Sequence, residues 1–139
     1  MSSALHPNGL PDLFLDRSLG RRKVPQALRE AGLRLTTLAE RYGVPADELV
    51  TDVEWLSDAG RRGEVVFMKD ERIRYNLAER MVVREHAVRC FCLSRKGLDA
   101  DTMAGLFIDH LPSIERAGSN EGPFIFIVNQ RGLRKLPFE

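Results

Sequence analysis

The sequence predicts an α/β domain built on a parallel sheet of five strands flanked by helices. Three observations carry this. Short apolar runs alternate with longer amphipathic segments five times along the chain. The runs are apolar on both sides of the pleat, the pattern of strands buried on both faces. The 139 residues, 43% hydrophobic and 29% charged, suit one globular domain with its own core and exclude a disordered chain, collagen or a coiled coil. The expected organisation is a single domain over residues 1–128, with 1–11 as an N-terminal extension. Residues 129–139 follow as a basic tail carrying Arg131, Arg134 and Lys135.

The elements are justified in chain order. Leu13-Phe14-Leu15 is a buried strand after Pro11-Asp12, and a loop from Asp16 follows it. Residues 24–31 read as a helix, with Pro25 in the first turn and Gly32 at the cap. Residues 33–38 are the second strand. Residues 41–50 hold a turn around Gly43-Val44-Pro45 and a short helical piece from Ala46. Thr51 and Glu54 stand at capping-box spacing and open a helix that runs to about Arg61. Residues 64–69 are the third strand, closed by Asp70. Residues 72–85 read as a helix with Ile73, Leu77, Met81 and Val82 as its buried stripe. Residues 88–93 are the fourth strand. A long helix capped by Asp99 or Asp101 follows, and 124–128 is the fifth strand.

Composition narrows function. Lys plus Arg is 21 and Asp plus Glu is 20, a net charge of +1, so binding to polyanions by bulk charge is excluded and only a local basic patch serves. No apolar run reaches the roughly 18 residues that a membrane helix needs. The segment 1–12 lacks the apolar core of a signal peptide, and the expectation is a cytoplasmic protein with no membrane partner. Cys90 and Cys92 lie two apart on one face of an apolar strand. They and His86 read as core rather than as a zinc site, since only three ligands are in view. No Gly-rich phosphate loop and no Gly-x-Ser-x-Gly elbow is present.

The chemistry lies in the acids. Ligands of parallel sheets bind beyond the carboxyl ends of the strands. Asp16 ends the first strand and Asp70 the third, while Asp52 and Glu54 sit in the first turn of the helix that feeds the third. Such hard oxygen donors suit Mg²⁺ or Mn²⁺, and a metal so held activates water against a phosphodiester. Each acid also has a local reading. Asp70 is a natural helix cap, Glu54 completes the box with Thr51, and Asp52 favours the positive helix end. Asp16 lies several residues before the next helix, where a cap is less natural. Arg21, Arg22 and Lys23 stand near Asp16, and Arg72, Arg74 and Arg80 surround the helix after Asp70. Together they make a basic rim for a polyanion.

These residues carry a resemblance. Leu13-Phe14-Leu15-Asp16-Arg17-Ser18-Leu19-Gly20, Val24-Pro25-x-x-Leu28-Arg29-x-x-Gly32, Asp52-x-Glu54-Trp55-Leu56 and Val65-Val66-Phe67-Met68-Lys69-Asp70-Glu71-Arg72-Ile73 resemble PIN-like domains, most closely the VapC-type toxin branch. The resemblance spans about residues 13–128. It implies a three-layer α/β fold and a magnesium-dependent endoribonuclease, the toxin of a toxin–antitoxin pair. It maps the family's acids onto Asp16, Asp52 or Glu54, and Asp70. A fourth acid falls beyond Leu93, where Asp99 and Asp101 are the candidates. Asp16, Asp52 and Asp70 are the expected metal ligands, with Glu54 beside them. Arg21, Arg22, Lys23, Arg72 and Arg74 are expected to contact RNA, and Lys69 to orient a carboxylate or a phosphate. The expected partners are RNA and an antitoxin protein, and a homodimer is compatible with the family. Two other readings compete: a receiver-like phosphoacceptor domain, which lacks an acidic pair beside Asp16, and an inactive PIN-like interaction module.

Overall fold

The structure, a computed structural model, describes residues 6–69, 76–93 and 96–137. Strands β1 (Leu13–Leu15), β2 (Leu35–Thr37), β3 (Val65–Lys69), β4 (Arg89–Leu93), β5 (Phe124–Asn129) and β6 (Gly132–Lys135) form one sheet in the order β2-β1-β3-β4-β5-β6. The first five are mutually parallel, with Leu15 opposite Thr37 on one side and opposite Phe67 on the other. Their connections are α1 (Lys23–Glu30), α2 (Leu38–Tyr42), α3 (Asp52–Arg61), α4 (Leu77–Glu85), α5 (Ala100–Asp109) and α6 (Leu111–Gly118).

The continuous apolar strands explain the layers. Alternate strand residues point to opposite faces. Leu13, Leu15, Val65, Phe67, Phe91 and Leu93 pack on the side of α1, α5 and α6. Phe14, Val66, Met68, Cys90 and Cys92 pack on the side of α2, α3 and α4. Two cores, one on each face, make the three-layer arrangement. On the first face Phe67 stacks on Phe107 at 4.1 Å between ring centroids. On the second, Phe14 stacks on Trp55 at 5.5 Å. Both cysteines are free and fully buried there, as the apolar run predicts.

Four expectations need correction. Part of the basic tail is β6, which pairs antiparallel with β5, Leu133 opposite Val128. It is an edge strand carrying exposed charges, so it lacks the apolar run that marks the buried strands. The second strand is shorter than 33–38, because Thr37 and Glu40 form a full capping box that starts α2. The long helix after β4 breaks at His110 into α5 and α6, with Pro112 in the first turn of the second. The stripe assigned to α4 is turned the wrong way. Leu77 is 72% and Met81 50% exposed, while Glu79 and Val83 are buried; of the expected stripe Val82 packs partly against the core. Both stripes have i, i+4 spacing, and the sheet beneath chose the one containing an acid. Ile73 lies outside the described residues.

The N-terminal extension belongs to the fold from His6. The Arg34 amide donates to His6 Nδ1 at 2.9 Å, so Nε2 carries the proton and donates to the Leu10 carbonyl at 2.8 Å.

Candidate active site at the carboxyl end of the sheet

The chain leaves β1 through α1 to β2 on one side and returns through α3 to β3 on the other. That reversal falls at the carboxyl ends of β1 and β3, the place where α/β sheets bind ligands in a crevice. Helices that cross between parallel strands start at this same edge. The first turns of α1, α3, α4 and α5 therefore all lie along it.

Asp16 stands at the end of β1 and is 5% exposed. It caps a 3-10 turn over Arg17–Leu19, which corrects the expectation that a cap is less natural at this position. Its Oδ1 accepts from the Ser18 amide at 3.1 Å and from the Ser18 hydroxyl. The Ser18 oxygen in turn accepts from the Lys69 amide at 2.8 Å. One serine thus ties the Asp16 carboxylate to the last residue of β3. Sequence reasoning passed over Ser18, although an Asp followed two residues later by Ser is a local capping pattern. The residue after Lys69 in the chain is Asp70, which lies outside the described residues together with Arg72 and Arg74.

Asp52 and Glu54, both in the first turn of α3, have different partners. The Thr51 amide donates to Glu54 Oε2 at 2.9 Å, and the Glu54 amide donates to Thr51 Oγ1 at 3.1 Å, so Glu54 caps α3. Asp52 has a partner besides the positive helix end. The indole N–H of Trp55, one turn on, donates to its Oδ1 at 2.9 Å. Trp55 is fully buried against Phe14 of β1, two residues before Asp16. The core thereby sets where Asp52 stands. A carboxylate has lone pairs left after one such bond. Asp52 opens a helix and does not end a central strand, which removes the geometric basis of the receiver-like alternative.

The other predicted residues are placed as follows. Asp99 caps α5, with its Oδ1 accepting from the Thr102 amide at 2.8 Å. That bond is the first cause holding its carboxyl below the usual range. Asp101 is exposed in the first turn of α5. Arg22 and Lys23 are exposed at the start of α1. Arg21 is half-exposed and pairs with Asp47 at 2.9 Å. Lys69 is partly buried at the end of β3.

A further acid went unnoticed because α4 was read by its apolar stripe. Glu79 in the first turn of α4 is 7% exposed. The Cys90 thiol is pushed well up, first by burial, then by Cys92, and then by the charges of Asp16 and Glu79. Both carboxylates therefore lie within electrostatic reach of one buried thiol. Among the described residues no group of three His, Cys, Asp or Glu side chains gathers closely enough to hold a metal. The described acids are hard oxygen donors, the chemistry that suits Mg²⁺ or Mn²⁺.

Comparison with known proteins agrees with this geometry. The family described as PIN like domain matches residues 11–95, which include Asp16, Asp52 and Asp70. The chain is 42% identical over 120 residues to the protein named "Putative ribonuclease VapC45" of Mycobacterium tuberculosis (strain ATCC 25618 / H37Rv). The match covers 86% of this chain and 87% of that protein. No solved structure matches the chain. With a matching domain over more than half its length, on a three-layer sheet whose acids line the carboxyl edge, the chain belongs to the PIN-like domain family.

Proposed function

We infer that this chain is a metal-dependent endoribonuclease, the toxin half of a toxin–antitoxin pair, acting in the cytoplasm on RNA. The observation that carries the reading is the buried Asp16 at the sheet's reversal point, tied by Ser18 to the end of β3 next to Asp70. In this reading Asp16, Asp52 and Asp70 are the metal ligands and Glu54 is a cap. A divalent ion held by such carboxylates lowers the pKa of water and neutralises charge on a phosphodiester. Ser18 holds the Asp16 carboxylate in one orientation, and Trp55 does the same for Asp52. Arg22 and Lys23 present cations to the RNA backbone beside Asp16, and Arg72 and Arg74, in the segment after Asp70, are assigned the same task. Lys69 orients a carboxylate or a phosphate at the end of β3. An antitoxin protein inhibits by covering this acidic crevice. Among the described residues no helix is long and apolar enough to cross a membrane.

The test is cleavage of RNA by the purified chain with Mg²⁺ or Mn²⁺, with and without EDTA, beside Asp16→Asn. Asparagine keeps an Oδ1 acceptor for both Ser18 bonds, and it removes a charge that is buried at the end of β1. Cleavage should vanish while the melting temperature holds or rises. Cleavage that persists in EDTA, or in Asp16→Asn, refutes the reading.

A further inference from the structure

We propose that Arg17 is a positioning residue of the nuclease site, holding the start of α3, and with it Asp52, against the carboxyl end of β1. The proposal rests on the metal-site reading above and adds a residue to it. Arg17 follows Asp16 directly, in the 3-10 turn that Asp16 itself caps. Its Nη2 donates to two main-chain carbonyls, Asp47 at 2.9 Å and Val50 at 2.6 Å. Those carbonyls belong to the 3-10 turn Ala46–Leu49 and the residue after it. Val50 stands immediately before Thr51, the cap of α3, and two residues before Asp52.

A second arginine strengthens the grip. Arg21, from the segment after the same turn, donates to Asp47 Oδ2 at 2.9 Å. The Asp47 side chain is 5% exposed, and its Oδ1 has no hydrogen-bond partner. A buried carboxylate tied through one oxygen to a single guanidinium is held where that guanidinium is. Two cations from the segment after Asp16 therefore clasp one residue of the segment before Asp52. A guanidinium is suited to this, because its planar fork presents several donors at fixed angles.

Asp52 is consequently fixed from two directions. Trp55 holds it from the core, through the stack on Phe14. Arg17 holds its helix from the rim. The two constraints meet at the first turn of α3, one from the buried side and one from the exposed side. The geometry matters because displacing a catalytic group by about 1 Å costs about a hundredfold in rate.

Two rival roles for Arg17 are separable. As an exposed cation it could touch an RNA phosphate, or it could serve stability alone. The variants are Arg17→Ala, Arg17→Lys, Asp52→Asn and the double variant Arg17→Lys/Asp52→Asn. The readouts are Mn²⁺ binding, followed by loss of the free-ion EPR signal, single-turnover cleavage, thermal melts, and RNA affinity against salt in an Asp16→Asn background. Lysine keeps the charge but loses the fork, so both Arg17 variants should weaken Mn²⁺ binding and slow cleavage by about tenfold or more. The salt slope of RNA affinity should not change. Adding Arg17→Lys to Asp52→Asn should leave the residual Mn²⁺ affinity of that variant where it was.

A salt slope reduced by about one in Arg17→Ala marks a phosphate contact and overturns the proposal. So does full multiplication of the two effects in the double variant, or a change in melting temperature with Mn²⁺ binding intact. Wild-type Mn²⁺ affinity and cleavage in Asp52→Asn would instead overturn the metal-site reading itself, and the proposal with it.

Discussion

Asp52 is asked to do two things, to accept from a buried indole and to bring a charge to the crevice, and two substitutions separate them. Asp52→Asn keeps an oxygen acceptor for the Trp55 N–H and removes the charge. Asp52→Ala removes both. The charge at the first turn of α3 contributes about 0.3–1 kcal/mol through the helix dipole. An indole N–H left without an acceptor in the core costs about 1–3 kcal/mol more. In a domain of this length each kcal/mol moves the melting temperature by about 3–4 °C. Asp52→Asn should therefore fall by about 1–4 °C and Asp52→Ala by about 4–16 °C, from the sums just given. Both should lose divalent-dependent RNA cleavage. Circular dichroism melts and a single-turnover cleavage assay on the same preparations give the two readouts. Equal melting temperatures for the two variants would show that the indole bond contributes nothing. Wild-type cleavage by Asp52→Asn would show that the acid orientated by Trp55 is not at the metal.

Two further predictions concern the frame around the site. Arg41 and Glu64 form a bidentate pair that is about nine-tenths buried, with the guanidinium 4.7 Å from the Phe14 ring centroid. Arg41→Ala strands the Glu64 carboxylate and should cost about 3 kcal/mol or more in urea unfolding, and a loss below about 1 kcal/mol would refute the burial argument. Glu40 caps α2 and is held below its ordinary value of 4.5, first by the Arg29 hydrogen bonds, against the opposing effect of burial. Because its folded value is depressed, the stability it contributes is complete above 4.5 and is lost as pH falls through the folded value. Glu40→Gln should therefore be less stable than wild type at neutral pH, with the gap closing in acid. A gap that is constant with pH would show that the charge is not what stabilises the cap.

The parts of this protein that were legible in the sequence are those decided by neighbours in the chain. The apolar runs named β1, β3, β4 and β5, because a strand covered on both faces must be apolar at every position. Thr51 and Glu54 announced their cap, since both partners sit within one helical turn. Asp16 stood out as an acid at a strand end, and the resemblance around it pointed to the right family. The pairing of Thr37 with Glu40 was equally local and was missed only because the strand before it was drawn too long.

Other features depend on residues far apart in the chain. The burial of Glu79 in place of Leu77 and Met81 was settled by the sheet under α4, since two stripes of equal spacing compete and only the surface beneath selects one. Strand β6 exists because β5 offers it a free edge, and its own residues carry little apolar signal. Ser18 meets Lys69 across 51 positions, and Arg17 meets Asp47 and Val50 across 30 and 33. Hydrogen bonds of that span leave no periodic mark in the sequence. By itself the sequence determined which residue types line the carboxyl edge. Only the tertiary structure decided which acids are held by a serine, an indole or a cap, because those partners come together when the sheet and its crossover helices close around the core.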